Sequence, residues 1–417
     1  MMWAINETFA IEIQNMKQRE KFILTLNCGS SSLKFSLYEP DSLALELSGT
    51  ITHIATTVGT FRIKDKNDKL LKEEPKFYNS HDAAINEVLT WLEINQHTYP
   101  LAAIGHRLVL GGPHRHDTEI VTDELITELN NYIYLAPNHL PEEITAIKLL
   151  REAFGVLPQV VCYDTAFHAD MPSCAKFYPL PLIYKKEGLM RYGFHGLSYE
   201  YILSKLTDVQ VDKKKIIIAH LGSGSSMVAL KNGKSIDTTM GMSPMGGLIM
   251  STRSGDLDPG VVLFLLRRTN MCVSDVDALL SQHSGLKAIA GTGDMQELLR
   301  NEPIDDKATE AINLFCYQAK KYIGALAAAM GGLDMLVFTG GIGENSAAIR
   351  ERICEGLEFL GISVYDKSNH ENNRVISSID SRVAVEVIPT NEEWMIAWHT
   401  KRLISKELIH QDYEKAI

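Results

Sequence analysis

The sequence lacks the features that mark secreted and membrane proteins. Its six cysteines are scattered and include no C-x-x-C pair, which favours reduced thiols in a cytoplasmic protein. No apolar run reaches membrane-spanning length, since the stretch 323–330 is followed by Gly331, Gly332 and Asp334. Residues 1–20 carry Glu7 and Glu12 and lack the apolar core of a secretory signal. We therefore expect no membrane partner, and we interpret residues 1–20 as an N-terminal extension.

An excess of positive charge is also missing. The net charge of −11 argues against a general nucleic-acid surface. With 45% apolar and 22% charged residues, the composition is that of an ordinary soluble protein, and 417 residues are enough for two or three domains. An acidic protein that binds phosphates must concentrate its positive charge locally, so single arginines and lysines gain importance.

Residues 23–37, which read ILTLNCGSSSLKFSL, predict a β-hairpin. An apolar β-branched run breaks into a polar Gly/Ser turn and then resumes with Phe35 and Leu37 in alternation. The tip of this hairpin offers backbone N–H groups, hydroxyls and Lys34. Closely spaced N–H donors form a concave positive nest, which suits an anion.

A second stretch, residues 216–230, repeats this pattern as IIIAHLGSGSSMVAL. With Gly29 set on Gly222, Asn27 pairs with His220 and Ser32 pairs with Ser225. Two such hairpins about half a chain apart suggest duplicated α/β halves that face one polyphosphate. Either hairpin alone is more simply an ordinary serine-rich β-turn, but the pair favours duplication.

The remaining pattern alternates strands with helices, which predicts an α/β architecture. Strands are predicted over 44–72, with a turn at 65–68, and over 101–110, 159–163, 333–338 and 383–388. Helices are predicted over 80–94, 122–132, 141–154, 258–268 and 305–330, with another beginning at Thr390. Residues 165–196 and 241–255 are rich in glycine and proline or methionine and are predicted to be loops.

Eight segments carry a resemblance to a known family. In chain order they are NCGSSSLK (27–34), GHR (105–107), DTAFH (164–168), RYGFHG (191–196), HLG (220–222), TRSGD (252–256), GIGEN (341–345) and PTNEE (389–393). With them the sequence resembles the acetate/propionate kinase family of the sugar-kinase, Hsp70 and actin-like fold class. The resemblance spans residues 23 to about 400.

The resemblance implies an α/β protein of two duplicated actin-like (ribonuclease H-like) domains with a nucleotide cleft between them. Domain I would comprise residues 21–165 and 396–417, and domain II residues 166–395. It also implies a cytoplasmic homodimer that moves the γ-phosphoryl group of ATP directly to acetate, giving acetyl phosphate and ADP. The cofactor would be Mg²⁺, for which Mn²⁺ can substitute.

The resemblance assigns catalytic roles to Asp164, His195, Arg253 and Arg107, and substrate binding to Arg107 and His139. A carboxylate acceptor is already ionised, so catalysis consists mostly of bringing two anions together, which guanidinium groups do well. We therefore expect Asp164 to orient Arg107 or metal-bound water instead of acting as a base. Plainer alternatives are a surface ion pair of Arg253 with Asp256 or Asp258, a loop histidine at 195, and a turn residue at 164.

The nucleotide and metal ligands implied by the resemblance fall in five segments. Magnesium would be held by Asn27 and Glu392, because Thr390 and Glu393 have the spacing of a capping box that leaves Glu392 free. The ATP ligands would be Ser30, Ser32, Lys34, His220, Leu221, Gly222, Ser223, Gly224, Asp294, Met295, Gln296, Gly341, Ile342, Gly343, Glu344 and Asn345.

The sequence departs from the family's usual pattern at five positions. Ser223 stands in place of asparagine, Gly246 of glutamate, Ser251 of glycine, Gln296 of arginine and Leu110 of histidine. These changes bear on nucleotide contacts and on the acyl pocket. They leave open a propionate- or butyrate-preferring kinase and a non-catalytic nucleotide-binding regulator. Retention of the principal charged residues argues against the regulator.

Overall fold

The computed structural model describes residues 21–29, 31–207, 210–268 and 271–415, and side chains up to residue 405. The described chain divides into two compact units. Unit 1 contains the chain up to Tyr163 together with the C-terminal segment from Glu392 onward. Unit 2 is Asp164–Asn391. The predicted extension 1–20 and the predicted ATP ligand Ser30 lie outside the described residues.

Unit 1 is built on an eight-stranded sheet. Its strands are β1 (Phe22–Cys28), β2 (Leu33–Tyr38), β3 (Leu45–Ile51), β4 (Gly59–Asp65), β5 (Leu70–Lys76), β6 (Leu101–Leu108), β7 (Glu119–Ile120) and β8 (Gln159–Tyr163). They lie in the order β5-β4-β3-β2-β1-β6-β8-β7. The first predicted hairpin is therefore confirmed as β1 and β2, with Asn27 opposite Lys34.

Unit 2 contains a five-stranded sheet. Its strands are β9 (Lys215–Leu221), β10 (Ser225–Lys231), β11 (Lys234–Thr238), β12 (Met335–Thr339) and β13 (Ala384–Val387), in the order β11-β10-β9-β12-β13. The second predicted hairpin is confirmed as β9 and β10.

The two sheets share a common topology. In unit 1, β3-β2-β1 are antiparallel neighbours and β6 and β8 continue the sheet in parallel. In unit 2, β11-β10-β9 are antiparallel and β12 and β13 follow in parallel. The same order with the same strand directions confirms a duplicated α/β fold.

The central strands β1 and β9 are mostly apolar, as expected of strands with helices on both faces of the sheet. Leu24 and Leu26 of β1 pack with residues of the helix His81–Ile94, whereas Ile23 packs with Ala397 on the opposite face. In β9, Ile217 and Ala219 pack against the helix Asp306–Met330, and Ile216 and Ile218 pack against the helix Gly196–Lys205. Full burial of one such large apolar side chain contributes roughly 1.5–3 kcal/mol.

The α-helices of unit 1 are His81–Ile94, Asp123–Asn131, Leu140–Phe154 and Glu392–Lys415. Those of unit 2 are Ser173–Lys176, Leu182–Lys186, Gly196–Lys205, Pro259–Arg268, Val273–Gln282, Gly285–Ala290, Met295–Asn301, Asp306–Met330, Gly340–Asn345, Ala347–Cys354 and Asp366–His370. Short 3₁₀ turns occur at Ile133–Leu135, Ala166–His168, Val211–Lys213 and Glu358–Leu360. Ser80 caps its helix as predicted, accepting a hydrogen bond from the Ala83 N–H.

Within the described ranges, none of the helices combines the length and the apolar character that crossing a bilayer requires. All six cysteines are free thiols, and four of them are buried. The predicted loops at 165–196 and 241–255 differ in outcome. The first contains the short helices Ser173–Lys176 and Leu182–Lys186, whereas the second has neither helix nor strand.

Candidate active site

The tip of the β9–β10 hairpin is a tight turn stabilised by its own backbone. The Gly222 N–H donates to the Gly224 carbonyl at 3.1 Å and to Ser225 Oγ at 3.2 Å. A β-carbon on Gly222 would lie 3.8 Å from the Gly341 amide nitrogen and 3.9 Å from His220 Nε2. Backbone and imidazole nitrogens thus surround a small space at this tip, as an anion-binding turn requires.

Two further nitrogen groups lie at the other end of the same turn. A β-carbon on Gly224 would be 3.3 Å from His195 Nε2 and 3.7 Å from Arg253 Nη1. The structure therefore brings His195, Arg253 and the predicted ATP segment 220–224 together within unit 2. A guanidinium and an imidazole side by side suit the charge that spreads over a transferring phosphoryl group.

Arg253 is placed by a network of backbone contacts. Its Nη1 donates to the Pro244 carbonyl at 3.1 Å, and its own carbonyl accepts from the Met250 N–H at 3.2 Å. The Ser251 N–H bonds to the Ser223 carbonyl, which joins the arginine loop to the β9–β10 turn. The two candidate surface partners have hydrogen-bond donors of their own: Asp256 accepts from the Gly247 N–H and the Tyr322 hydroxyl, and Asp258 accepts from the Gly260 N–H.

His195 adopts a left-handed backbone conformation, with φ of 60°. Asp164 stabilises it: its Oδ2 accepts from the His195 N–H at 3.0 Å and its carbonyl accepts from the Gly196 N–H at 2.9 Å. A non-glycine residue with positive φ is uncommon and costs about 1 kcal/mol or more. Asp164 is thus seen fixing the backbone that presents His195, a contact that sequence reasoning did not foresee.

The imidazoles of His195 and His220 are stacked. Their ring centroids are 4.3 Å apart, with an interplanar angle of 20°. His195 Nδ1 lies 2.8 Å from Ser226 Oγ, and His220 Nδ1 lies 2.8 Å from Ser198 Oγ. Neither serine was predicted as a site residue. Ser226 lies in the predicted hairpin 216–230 but was not distinguished from its neighbouring serines, and Ser198 lies in none of the quoted motifs.

The glycine segment 341–345 follows β12, and Gly340 adopts a φ of +76°. Beyond its own helix, no atom of the described residues lies within 4 Å of a β-carbon built on Gly341, so a ligand can approach the backbone there. The Glu344 side chain stabilises this segment: its Oε1 accepts from the Gly340 N–H at 2.8 Å and from the Thr390 N–H at 3.0 Å. The Asn345 side chain likewise donates to the Gly341 carbonyl at 2.9 Å.

The β1–β2 hairpin of unit 1 has acidic surroundings. Asn27 Nδ2 donates to Glu392 Oε2 at 3.1 Å and to Glu393 Oε1 at 3.4 Å. Lys34 Nζ lies 3.9 Å from Glu393 Oε1. At the turn, the Gly29 N–H bonds to the Ser32 carbonyl at 2.8 Å.

The predicted capping box of Thr390 and Glu393 is wrong. The helix begins at Glu392, and the Thr390 hydroxyl lies 2.8 Å from Ser198 Oγ. The carboxylate of Glu393 points to Asn27 and Lys34 instead. Both glutamate side chains therefore lie beside the Asn27 amide, and that of Glu393 also lies near Lys34 instead of capping the helix.

Arg107 on β6 is held by a buried carboxylate. Its Nη1 lies 3.4 Å from Glu143 Oε1, and the exposed fractions of the two side chains are 12% and 1%. Glu143 Oε2 also accepts from the Val109 N–H at 2.9 Å. His139 precedes the first residue of the helix that carries Glu143, and its carbonyl accepts from the Glu143 N–H. Arg107 and His139 thus belong to one local arrangement in unit 1.

The segment 294–296 is organised as a helix start. Asp294 Oδ1 accepts from the Gln296 N–H at 2.9 Å, and Gln296 is exposed. The Met295 side chain packs in the core of unit 2, against expectation for a nucleotide ligand. The periodic apolar pattern of the following helix explains this burial.

The comparisons with known proteins agree on one family. A model of the acetokinase family matches residues 22–398. The acetate kinase of Carboxydothermus hydrogenoformans is 41% identical over 394 residues, which cover 92% of this chain and 99% of that protein. The chain belongs to the acetokinase family.

Solved structures of the acetokinase family agree with this assignment. The crystal structure of Porphyromonas gingivalis acetate kinase is similar with a TM-score of 0.82 and 36% identity, covering 92% of this chain and all of that one. A propionate kinase from Francisella tularensis is similar with a TM-score of 0.84 and 35% identity, covering 92% and 99%. The predicted fold class and family are confirmed.

The residues of this acetokinase that would hold a divalent cation fit that task. Glu392 and Glu393 place two carboxylates on one amide group, and the nearby Lys34 is half-exposed. Carboxylate and amide oxygens are ligands that Mg²⁺ prefers, together with phosphates and water. The pair of like charges makes the addition of a cation favourable.

Proposed function

We propose that this chain transfers the γ-phosphoryl group of ATP to acetate and back, as an acetate kinase. The observation that supports it most is the convergence of His195 Nε2 and Arg253 Nη1 on Gly224. That arrangement occurs in a chain that covers almost the full length of curated acetate kinases. The reaction needs such a site because its acceptor and its donor are both anions.

One acetate oxygen attacks the γ-phosphorus as the bond from this phosphorus to the ADP oxygen breaks. Acetyl phosphate and ADP leave, and no proton is taken from the acceptor. Arg253 and His195 donate hydrogen bonds to the equatorial oxygens, where charge spreads in the transition state. Asp164 keeps His195 in place through the backbone instead of acting as a base.

Arg107 binds the acceptor carboxylate, and the buried Glu143 fixes its guanidinium. In this proposal His139 adds to the acetate site. The phosphates of ATP meet the hairpin residues Ser32 and Lys34 and the segment 220–224, and Gly341 admits the nucleotide to the backbone. Asn27 and Glu392 hold Mg²⁺, which screens the phosphate charge when it is bound.

A propionate-preferring kinase is the second candidate, because a propionate kinase from Francisella tularensis has a similar fold over 92% of the chain. One methylene changes discrimination by only about 1–3 kcal/mol, so pocket details decide the preference. Leu110, close to Arg107 in sequence, is fully buried and contributes no polar group to that pocket.

The test is acyl-phosphate formation from ATP with acetate, propionate and butyrate, each over a range of concentrations. We expect the highest kcat/KM with acetate. A higher value with propionate or butyrate would reassign the substrate, and no turnover with any acid would favour the regulator. We also propose a homodimer in the cytoplasm, so light scattering of the same preparation should give twice the 46.5 kDa chain mass.

A further inference from the structure

The stacked histidines share a second feature: each Nδ1 contacts one serine hydroxyl, which in turn contacts a second hydroxyl. Ser226 Oγ, the partner of His195, is itself hydrogen-bonded to the hydroxyl of Tyr199. Ser198 Oγ, the partner of His220, lies 2.8 Å from Thr390 Oγ1. Tyr199, Ser226 and Ser198 are all fully buried. The two rings come from different segments of the chain, yet Nδ1 of each faces the same order of groups, a serine hydroxyl followed by a second hydroxyl.

The Nε2 atom of each ring faces residues 222–225 at the tip of the β9–β10 hairpin, which we call the phosphate turn. His195 Nε2 lies beside Gly224, next to Arg253 Nη1, and His220 Nε2 lies beside Gly222, next to the Gly341 amide. An imidazole nitrogen can stabilise a phosphate only when it carries a proton. If Nε2 were the unprotonated nitrogen, its lone pair would repel the anion.

A third histidine of unit 2, His168, also contacts a serine hydroxyl through Nδ1, and the partner of its Nε2 determines its tautomer. His168 Nε2 lies 3.1 Å from the Phe194 carbonyl, which can only accept, so Nε2 carries the proton. Burial lowers the pKa of His168 to about 4, so this ring is neutral near pH 7. Its Nδ1 must then accept from Ser235 Oγ, 2.9 Å away.

We propose that the hydroxyl pairs Tyr199–Ser226 and Thr390–Ser198 hold His195 and His220 as neutral rings with the proton on Nε2. Tyr199 donates to Ser226, which donates to His195 Nδ1; Thr390 donates to Ser198, which donates to His220 Nδ1. A phenol hydroxyl is a better donor than a serine hydroxyl, which favours this direction. The four hydroxyl residues are positioning residues for the proposed phosphoryl transfer, and the inference rests on that function.

Stacking gives an independent reason for neutral rings. Two imidazolium ions with centroids 4.3 Å apart would repel each other, so protonation of one opposes protonation of the other. Two neutral Nε2–H donors avoid this repulsion and still offer one hydrogen bond each. The arrangement needs no change of protonation during transfer.

The tautomers can be measured directly in the ligand-free protein. Protein labelled with ¹⁵N-histidine is examined by long-range ¹H–¹⁵N correlation, and His195 and His220 are assigned from the spectra of His195→Gln and His220→Gln. We expect a protonated Nε2 and an unprotonated Nδ1 for both. Protonation of Nδ1 in either ring overturns the proposal for that ring.

Variants then test whether the hydroxyls set these tautomers. Tyr199→Phe and Ser226→Ala should shift His195 toward a mixture of tautomers, and Ser198→Ala should do the same for His220. The signals of His168 should not change. If the signals of His195 stay unchanged in both of its variants, the hydroxyl pair does not position it.

Kinetics provides the functional readout, with Ser235→Ala as the matched control. That variant also removes a buried serine from a histidine Nδ1, but the histidine is His168, whose Nε2 contacts the Phe194 carbonyl and not the turn. We expect kcat to fall about 10-fold in Ser226→Ala with the KM for acetate unchanged, and to change less than about 2-fold in Ser235→Ala. An equal loss in both variants would show general destabilisation and overturn the positioning role.

The proposed function and this inference can fail separately. Absence of acetate turnover in the wild-type protein would contradict the function, whatever the tautomers. Normal turnover with His195 protonated on Nδ1 would contradict only the inference.

Discussion

The two glycine and serine hairpins have the same fold and opposite electrostatic surroundings. In each, an antiparallel pair is continued by a parallel strand, β6 beside β1 and β12 beside β9. Around the first, Asn27 contacts the carboxylates of Glu392 and Glu393. Around the second, His195, His220, Arg253 and a backbone amide face the turn. The carboxylates beside Asn27 suit a cation, whereas the groups around the second turn suit an anion.

The difference originates outside the hairpins. The carboxylates come from the start of the C-terminal helix, and the guanidinium comes from the loop tied to Ser223. Within the hairpins, Asn27 corresponds to His220 and Lys34 to Met227. The same frame thus occurs twice, and segments outside each hairpin contribute most of its charged neighbours.

Replacement of Arg253 should have the largest effect on activity, because it removes positive charge from the surroundings of the second hairpin. We expect Arg253→Ala to lower kcat by about 10²–10³-fold, the usual cost of losing one transition-state donor. Circular dichroism and thermal unfolding should remain close to wild type, since Arg253 is only partly buried. The exposed Arg267 offers a control, and Arg267→Ala should leave kcat unchanged. Wild-type turnover in Arg253→Ala would remove this residue from the site.

How far the sequence could predict these arrangements depends on the range of the interactions. Both hairpins, the Ser80 cap and the long helix 306–330 follow from local periodicity and turn residues, and all were predicted. The grouping of His195 with Arg253 came from the family resemblance, because neither residue is near the other in the chain. Ser198, Ser226 and the role of Glu393 could not be predicted, since a hydroxyl or carboxylate becomes significant only through the partner that folding gives it.

Each unit also contains a buried histidine, and we expect the two histidines to make the stability depend on pH in the same way. Burial lowers the pKa of His106 in unit 1 and of His168 in unit 2 to about 4, from an ordinary value of 6.5. Between these values the unfolded chain binds more protons than the folded one. The stabilisation is therefore complete above pH 6.5 and is lost as the pH falls toward 4, by about 3 kcal/mol for each histidine.

Urea unfolding at several pH values between 7 and 4.5 tests this expectation. The free energy of unfolding should decrease as the pH falls in the wild type, and it should decrease less steeply in His106→Gln and in His168→Gln. A slope that neither replacement reduces would show that other groups control the acid sensitivity. A reduced slope in only one variant would show that the two units differ in this respect after all.

The smallest expected effect is a difference in metal affinity between replacements of Glu392 and Glu393, the two glutamates beside the first hairpin. Glu392 Oε2 contacts Asn27, whereas Glu393 contacts both Asn27 and Lys34, which offsets part of its charge. We expect Glu392→Gln to weaken Mn²⁺ binding in the presence of ADP by about 10-fold, and Glu393→Gln to weaken it clearly less. Titration followed by electron paramagnetic resonance measures the free ion without requiring turnover. If Glu393→Gln had the larger effect, the metal ligand would be Glu393. If neither variant changed the affinity, the carboxylates would only neutralise Lys34, and the contrast between a cation-binding and an anion-binding hairpin would not hold.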